Sequence, residues 1–524
     1  MSKTFIPSAE QKAIFEFIAR GTGNGIVRAN AGTGKTTTLV EGAKLLDTSA
    51  VFVAFSKAIV GELEGRLAGT RMVAKTGHSI GLACIRKALG TARRPLVENA
   101  KYNALIKEWM TGEGEGKFDR DEWDDVRSRL KDLVHFCRMW LVSPSQTTKF
   151  QEVAARYDII LDGWEAPVVA KLLNQGEQVA RQQGIVDFDD MLYLPAIWRL
   201  QPDTFRWVFV DECQDLTLAM QELVMKLVAD NGGRILFVGD PNQAIFGFAG
   251  ADSQSFWRLK DRARATEFPL SVCYRCPASH LDLARQIVPE IQNRPNAPVG
   301  VIDNVLESDL PQRVDGDSLV ICRLTAPLVS ACLDMLAAGI NARVKGKDIA
   351  GSLVKMVRAV EKLKEYRGDF ARFPELLRKY AVMQAQRLAQ QDASEARIEA
   401  LYDQVDAILA IHRTSEAKSA NDLAYQIERL FSDERPTVWL STVHRAKGLE
   451  AGKVFIMRPD KLPLTWPNQS PEEAQQERNL KYVAQTRAKS ELYFVHEYAL
   501  PAAPPSTPKA EPVPTPEPVP ALAV

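Results

Sequence analysis

One short segment, Ala29-Asn30-Ala31-Gly32-Thr33-Gly34-Lys35-Thr36, constrains this chain more than any other. Glycines let successive backbone N–H groups turn toward an anion, the lysine carries a cation to the outer phosphates of a nucleotide, and the threonine hydroxyl offers an oxygen to a divalent metal. Such a loop needs a strand before it and a helix after it, so that the positive end of the helix dipole faces the phosphates. Gly25 to Arg28 reads as the strand and Thr37 to Leu46 as the helix. The pattern G-x-x-x-x-G-K-[ST] is broken only at its first position, where Ala29 replaces glycine.

A second element completes the chemistry. Arg206-Trp-Val-Phe-Val-Asp211-Glu212 is an apolar, strand-like run that delivers two carboxylates at its carboxyl end, where open α/β sheets bind their ligands. Asp211 would hold the metal together with Thr36, and Glu212 would polarise an attacking water. The expected fold class is therefore α/β, built from parallel sheets flanked by helices. At 524 residues the chain exceeds the size at which one core stops growing, so several domains are expected. Lysine plus arginine equals aspartate plus glutamate at 66 each, so any basic track for nucleic acid must be local. The seven cysteines are odd in number and scattered, as expected of reduced thiols, and only Cys273 and Cys276 have C-x-x-C spacing. No apolar stretch is long enough for a bilayer and the first residues do not read as a signal peptide, so a cytoplasmic protein is expected.

Further on, Arg234-Ile-Leu-Phe-Val-Gly runs from a buried strand into a polar loop bearing Gln243, followed by Phe246 and Phe248. A glutamine within reach of a γ-phosphate beside two aromatics could make base stacking depend on the nucleotide. Taken with Pro7-Ser-Ala-Glu-Gln11, Ala54-Phe55-Ser56-Lys57, Thr76-Gly-His78-Ser79, Val186-Asp-Phe-Asp-Asp-Met-Leu192, Asp211-Glu-Cys-Gln-Asp215, Tyr274-Arg275, Ser441-Thr442-Val-His444-Arg-Ala-Lys-Gly-Leu-Glu450 and Tyr482-Val-Ala-Gln-Thr-Arg487-Ala, this order of segments resembles the superfamily 1A DNA helicases of the UvrD/Rep/PcrA type.

The resemblance implies two RecA-like lobes with a nucleotide between them. In that arrangement Ala31, Gly32, Thr33, Gly34, Lys35, Thr36 and Thr37 cradle ATP, Gln11 reads the adenine edge, Tyr274 stacks on its face and Glu450 holds the ribose. Lys35, Glu212, Gln243, Arg275 and Arg487 are the implied catalytic set, with Mg2+ on Thr36 and Asp211. Phe55, Thr76, His78, Phe246, Phe248, Thr442 and His444 are the implied DNA contacts. Two departures stand out: Cys273 replaces the asparagine that precedes Tyr-Arg in the family, which predicts a lost side-chain hydrogen bond, and Phe246 and Phe248-Ala249 replace tyrosine and tryptophan-arginine.

The organisation expected on this basis is a first lobe over 1–84 and 186–272, interrupted by a helical insertion over 85–185, and a second lobe over 273–347 and 437–500, interrupted by a short helical insertion over 348–436. Residues 501–524 read as a disordered proline-rich tail, available to a protein partner. The implied activity is ATP-driven movement along single-stranded DNA with unwinding of tailed duplexes, 3′ to 5′ by resemblance. The alternative is a translocase or anti-recombinase that strips proteins from single strands without opening duplex.

Overall fold

The computed structural model describes residues 5–498 apart from 55, 91–93, 120–121, 144, 391–392 and 433, and omits the side chains of Thr147 and Phe248. Phe55, the Phe248 side chain and the proline-rich tail thus lie outside the described residues. Among the described residues no helix is long and apolar enough to cross a membrane.

Two six-stranded sheets organise the chain. In the first, the strands lie side by side in the order Met72–Thr76, Ala50–Ala54, Trp207–Val210, Arg234–Gly239, Gly25–Ala29 and Thr266–Leu270, every neighbouring pair parallel. The run Trp207–Val210 is buried at all four positions, as expected of a parallel strand covered on both faces. Gly25–Ala29 lies between Arg234–Gly239 and Thr266–Leu270 in the interior of the sheet, so the loop that follows emerges at the same carboxyl edge as Asp211 and Asp240. Apolar side chains on the two faces form separate clusters, one around Ile26, Val208 and Phe237 and the other around Val27, Phe52 and Phe209. This alternation is what a period of two along each strand requires.

The second sheet is likewise wholly parallel, in the order Val301–Leu306, Ala488–His496, Ala451–Met457, Ser318–Cys322, Val438–Thr442 and Ala342–Lys345. The α/β class expected from sequence is what the chain adopts.

The two helical stretches differ in kind. Helices Lys101–Thr111, Trp123–Met139, Thr147–Arg156 and Glu165–Gln183 build a core of their own from residues such as Ile106, Leu130, Leu133, Val134, Leu172 and Leu173. Helices Lys347–Glu361, Phe373–Gln390, Glu395–Thr414 and Ala420–Leu430 instead share one continuous core with the second sheet, in which Leu353, Phe373, Ile408 and Ile427 join Val320, Val344 and Leu440. They pack on one another and on the helix Ala326–Ala337, which lies against the strands, so their core runs on into that of the sheet. Two boundaries also shift: the phosphate-loop helix is Lys35–Ala43, and the helix Gly77–Leu89 continues past residue 85 into the stretch read as an insertion.

Candidate nucleotide site between the lobes

The phosphate loop takes its shape from two glycines. Gly32 and Gly34 have φ of 70° and 80°, left-handed values that side chains resist. Ala29, at the first glycine position of the pattern, is instead the last residue of its strand, fully buried and paired with Leu270. No positive φ is needed there, so alanine costs nothing. Thr33 is buried with its hydroxyl donating to the Asn30 carbonyl at 2.9 Å, and the Thr37 hydroxyl accepts from Arg66 at 3.1 Å.

The Thr36 hydroxyl donates to the Asp211 carboxylate at 3.0 Å. Next to it Glu212 occupies the left-handed region with φ of 50°, a strained conformation for a residue with a Cβ, and its carboxylate comes within 3.9 Å of the Lys35 ammonium. The two acids are pushed in opposite directions. Burial, and then the Glu212 charge, raise the Asp211 carboxyl. Burial also acts upward on Glu212, but Lys35 and Lys447 outweigh it and hold Glu212 below the usual range. Gln243 lies one turn beyond Asp240, to which its amide donates at 2.6 Å, and is 5% exposed.

Residues of the second sheet's lobe press directly on this loop. The Tyr274 N–H donates to the Gly32 carbonyl at 2.8 Å, and the Tyr482 hydroxyl accepts the Ala31 N–H at 2.9 Å. A Cβ on Gly32 would lie 2.7 Å from the Cys273 sulfur and 2.8 Å from Arg275 Cβ, so the fit leaves no room for a side chain. Arg275 donates to Glu450 at 2.6 Å and to the Thr486 carbonyl at 3.2 Å. Arg487 is 2% exposed and makes no ion pair among the described residues. It is held by the Val483 carbonyl at 2.8 Å and the Thr486 hydroxyl at 3.0 Å, with Gln243 Oε1 3.5 Å away. Burial and the neighbouring Arg275 lower its pKa to about 10, which still leaves a cation at neutral pH. A buried cation without a carboxylate is costly unless an anion arrives.

On the nucleoside side, Gln11 is committed at both ends of its amide: Oε1 accepts from Ser8 N at 2.9 Å and Nε2 donates to Thr38 at 2.9 Å. Tyr274 is 40% exposed, its ring available for stacking. Glu450, expected at a ribose, is tied to Arg275 and to Lys489 at 2.8 Å. The expected loss at Cys273 is offset locally, because its sulfur accepts the Cys276 N–H at 3.4 Å.

Thr76 is buried, and its hydroxyl caps the helix Gly77–Leu89 by accepting from Ser79 at 3.1 Å. His78 packs against Phe188 with ring centroids 4.1 Å apart and planes tilted by 35°, and Phe188 is 47% exposed. Phe246 lies under the Lys447 ammonium at 5.1 Å. Thr442 is 8% exposed at the end of its strand. His444 beyond it is neutral, its pKa lowered to about 3 by burial and then by Arg323 and Arg445.

Residue-by-residue reading missed several participants. Lys447 crosses the cleft to pair with Asp215 and donates to the Gln243 carbonyl at 2.6 Å. Gln214 links the strands, donating to Glu212 at 2.6 Å and accepting from Asp240 N at 3.0 Å. Tyr482 and Phe188 belong with them. All four lie inside the quoted segments, so the signal was present, but only proximity in space assigns them a partner.

Two parallel-sheet lobes sharing one phosphate loop, with the half-buried Arg275 and the buried Arg487 beside it, define a two-lobed P-loop nucleotide hydrolase. Residues 8–264 match the UvrD/REP helicase N-terminal domain and residues 437–495 the UvrD-like helicase C-terminal domain. The chain belongs to the UvrD/REP helicase family and is an ATP-dependent DNA helicase. It is 26% identical to the ATP-dependent DNA helicase UvrD2 of Mycobacterium tuberculosis over 89% of this chain and 75% of that protein. It is 28% identical to the ATP-dependent DNA helicase Rep of Escherichia coli over 47% of this chain and 37% of that protein. For the ATP-dependent DNA helicase PcrA of Staphylococcus aureus the figures are 25%, 50% and 37%.

Proposed function

We propose that this helicase translocates along single-stranded DNA in the 3′ to 5′ direction and opens tailed duplexes, each step driven by ATP hydrolysed between the lobes. The observation that carries the reading is Arg487: a buried guanidinium without an ion pair among the described residues, facing Gln243, in the lobe opposite Lys35. Binding of the triphosphate supplies the missing anion and draws the lobes together. Lys35 and the loop N–H groups of Ala31 to Thr37 hold the phosphates, and Gln11 and Tyr274 hold the adenine. Glu450 is released to the ribose as Arg275 turns from it to the phosphates. Glu212, kept ionised by Lys35 and Lys447, orients and polarises the water, while Arg275, Arg487 and Gln243 stabilise charge on the transferring phosphoryl group.

Thr36 and Asp211 present an all-oxygen donor set that suits Mg2+, and a cation there would offset the two adjacent carboxylates. When bound it would neutralise phosphate charge. The strand passes His78 and Phe188 on one lobe and Thr442 and His444 on the other, with Phe246, and by family likeness Phe55 and Phe248, as stacking surfaces. Our division of the chain keeps the lobes at 1–84 with 186–272 and 273–347 with 437–500, and assigns the helices of 348–436 to the second lobe's own core. The setting is cytoplasmic, and the tail from 501 is the segment open to a protein partner.

The reading is tested with duplexes carrying a 3′ or a 5′ single-stranded tail. ATP-dependent displacement from the 3′-tailed substrate is expected; displacement from the 5′ tail alone would reverse the polarity. Single-strand-stimulated phosphate release without displacement from either would favour the protein-stripping translocase.

A further inference from the structure

The turn that carries Gln243 is gripped from the opposite lobe by one side chain that the mechanism above does not use. Asn479 lies on the helix Pro471–Gln485, which leads directly into Thr486 and Arg487, and it is 2% exposed. Its amide Nδ2 donates to the Pro241 carbonyl at 3.3 Å and to the Ala244 carbonyl at 3.0 Å. Its Oδ1 accepts from Gln475 at 2.9 Å. Three acceptor and donor partners fix which way the amide points, since two carbonyls require the NH2 end. The two carbonyls bracket Gln243.

Helical spacing aligns the neighbours of Asn479 for the same purpose. Gln476, three residues before it, packs against Gly247 so closely that a Cβ there would fall 2.5 Å from its amide nitrogen. Tyr482, three residues after it, takes the Ala31 N–H of the phosphate loop. One helix face therefore touches the aromatic segment at Phe246-Gly247, the Gln243 turn and the phosphate loop, and then delivers Arg487.

We propose that Asn479 is a positioning residue that locks the Gln243 turn to the helix bearing Arg487, so that lobe closure and the Phe246-Gly247 segment move together. It acts through Gln243 and does not touch the nucleotide. The inference rests on the two-lobe reading given above.

Asn479→Asp is nearly isosteric but sets a carboxylate against two carbonyl oxygens; Asn479→Ala removes the donors without burying a charge. In both, the DNA-stimulated kcat for phosphate release is expected to fall about ten-fold or more, the effect of losing two buried hydrogen bonds. The KM for ATP should stay within about three-fold, because the phosphate loop is untouched. The melting temperature, measured alongside, separates this from packing. A kcat within two-fold of the parent protein in both variants would overturn the proposal, as would a loss of rate that merely tracks loss of folded protein in both. Phosphate release by the parent protein that single-stranded DNA does not accelerate would overturn the two-lobe reading itself, and this inference with it.

Discussion

The two halves of the nucleotide site are built on different principles. In the first lobe the left-handed glycines shape the loop and Thr36 is tied to Asp211 within that lobe, while Tyr274 and Tyr482 meet the loop's backbone from the other side. In the second lobe the working cations depend on what faces them: Arg275 rests on Glu450, Arg487 rests on carbonyls, and Lys447 reaches across to Asp215. The first half is a binding surface that exists at all times. The second is a set of charges brought to the loop from further along the chain, and it is on these that the proposed coupling of hydrolysis to movement rests.

The largest effects should separate these roles. Replacing Arg487 with alanine should lower DNA-stimulated turnover by about 10³-fold or more, in the range known for transition-state arginines, while ATP affinity measured by equilibrium titration changes less. Lys35→Ala should abolish turnover and weaken nucleotide binding as well, with the melting temperature preserved. Equal loss of affinity in the two variants would erase the distinction between binding half and switching half.

The Lys447–Asp215 pair tests the link between them. Its side chains are 8% and 3% exposed, and removing one partner from a buried pair leaves an uncompensated charge. Asp215→Asn and Lys447→Met should each reduce DNA-stimulated turnover by about 10²-fold, and the double variant should be no worse than the more damaged single. Simple additivity would show that the two act separately.

A smaller effect is expected from the seam. Gly32→Ala places a Cβ 2.7 Å from the Cys273 sulfur on a residue whose φ is 70°, and should raise the KM for ATP about ten-fold by holding the lobes apart. An unchanged KM would mean that the seam opens during turnover without cost.

The mildest test is acidity. Burial raises the Asp215 pKa from 3.8 to about 6, against the opposing pull of Lys447. Below about pH 6 the carboxyl is protonated and the cross-lobe pair is lost, so DNA-stimulated turnover should fall several-fold between pH 8 and pH 5.5. Stability moves the other way for this group. A carboxyl that holds its proton more tightly folded than unfolded contributes more stability as pH falls through that window. The melting temperature should therefore not fall through Asp215 while the rate does; a joint fall would place the acid effect in unfolding.

Much of the first half was legible because it is local. Strand, loop and helix are consecutive, and Gly32, Gly34, Lys35 and Thr36 have their roles within a few residues of one another. The parallel sheets were legible from the buried run ending at Asp211. The second half was harder. The helix cap that Thr76 makes was not read from the sequence, and Lys447 and Asn479 look like ordinary residues of a loop and a helix until they are found against the Gln243 turn. The helices of 347–430 show an amphipathic period, but a period says only that one face is buried and not against what.

The sequence by itself determined the phosphate loop, the carboxylate pair, the parallel α/β class and the family, because each is carried by residues close in the chain whose chemistry has few alternatives. Only the tertiary structure decided that Arg487 is buried without an ion pair among the described residues, that Lys447 and Asn479 reach the Gln243 turn, and that the second helical block shares a core with its sheet. Those facts depend on which surfaces meet in space, for Arg487, Lys447 and Asn479 across more than two hundred residues of intervening chain, where burial and proximity, and not residue type, set the charge and the partner.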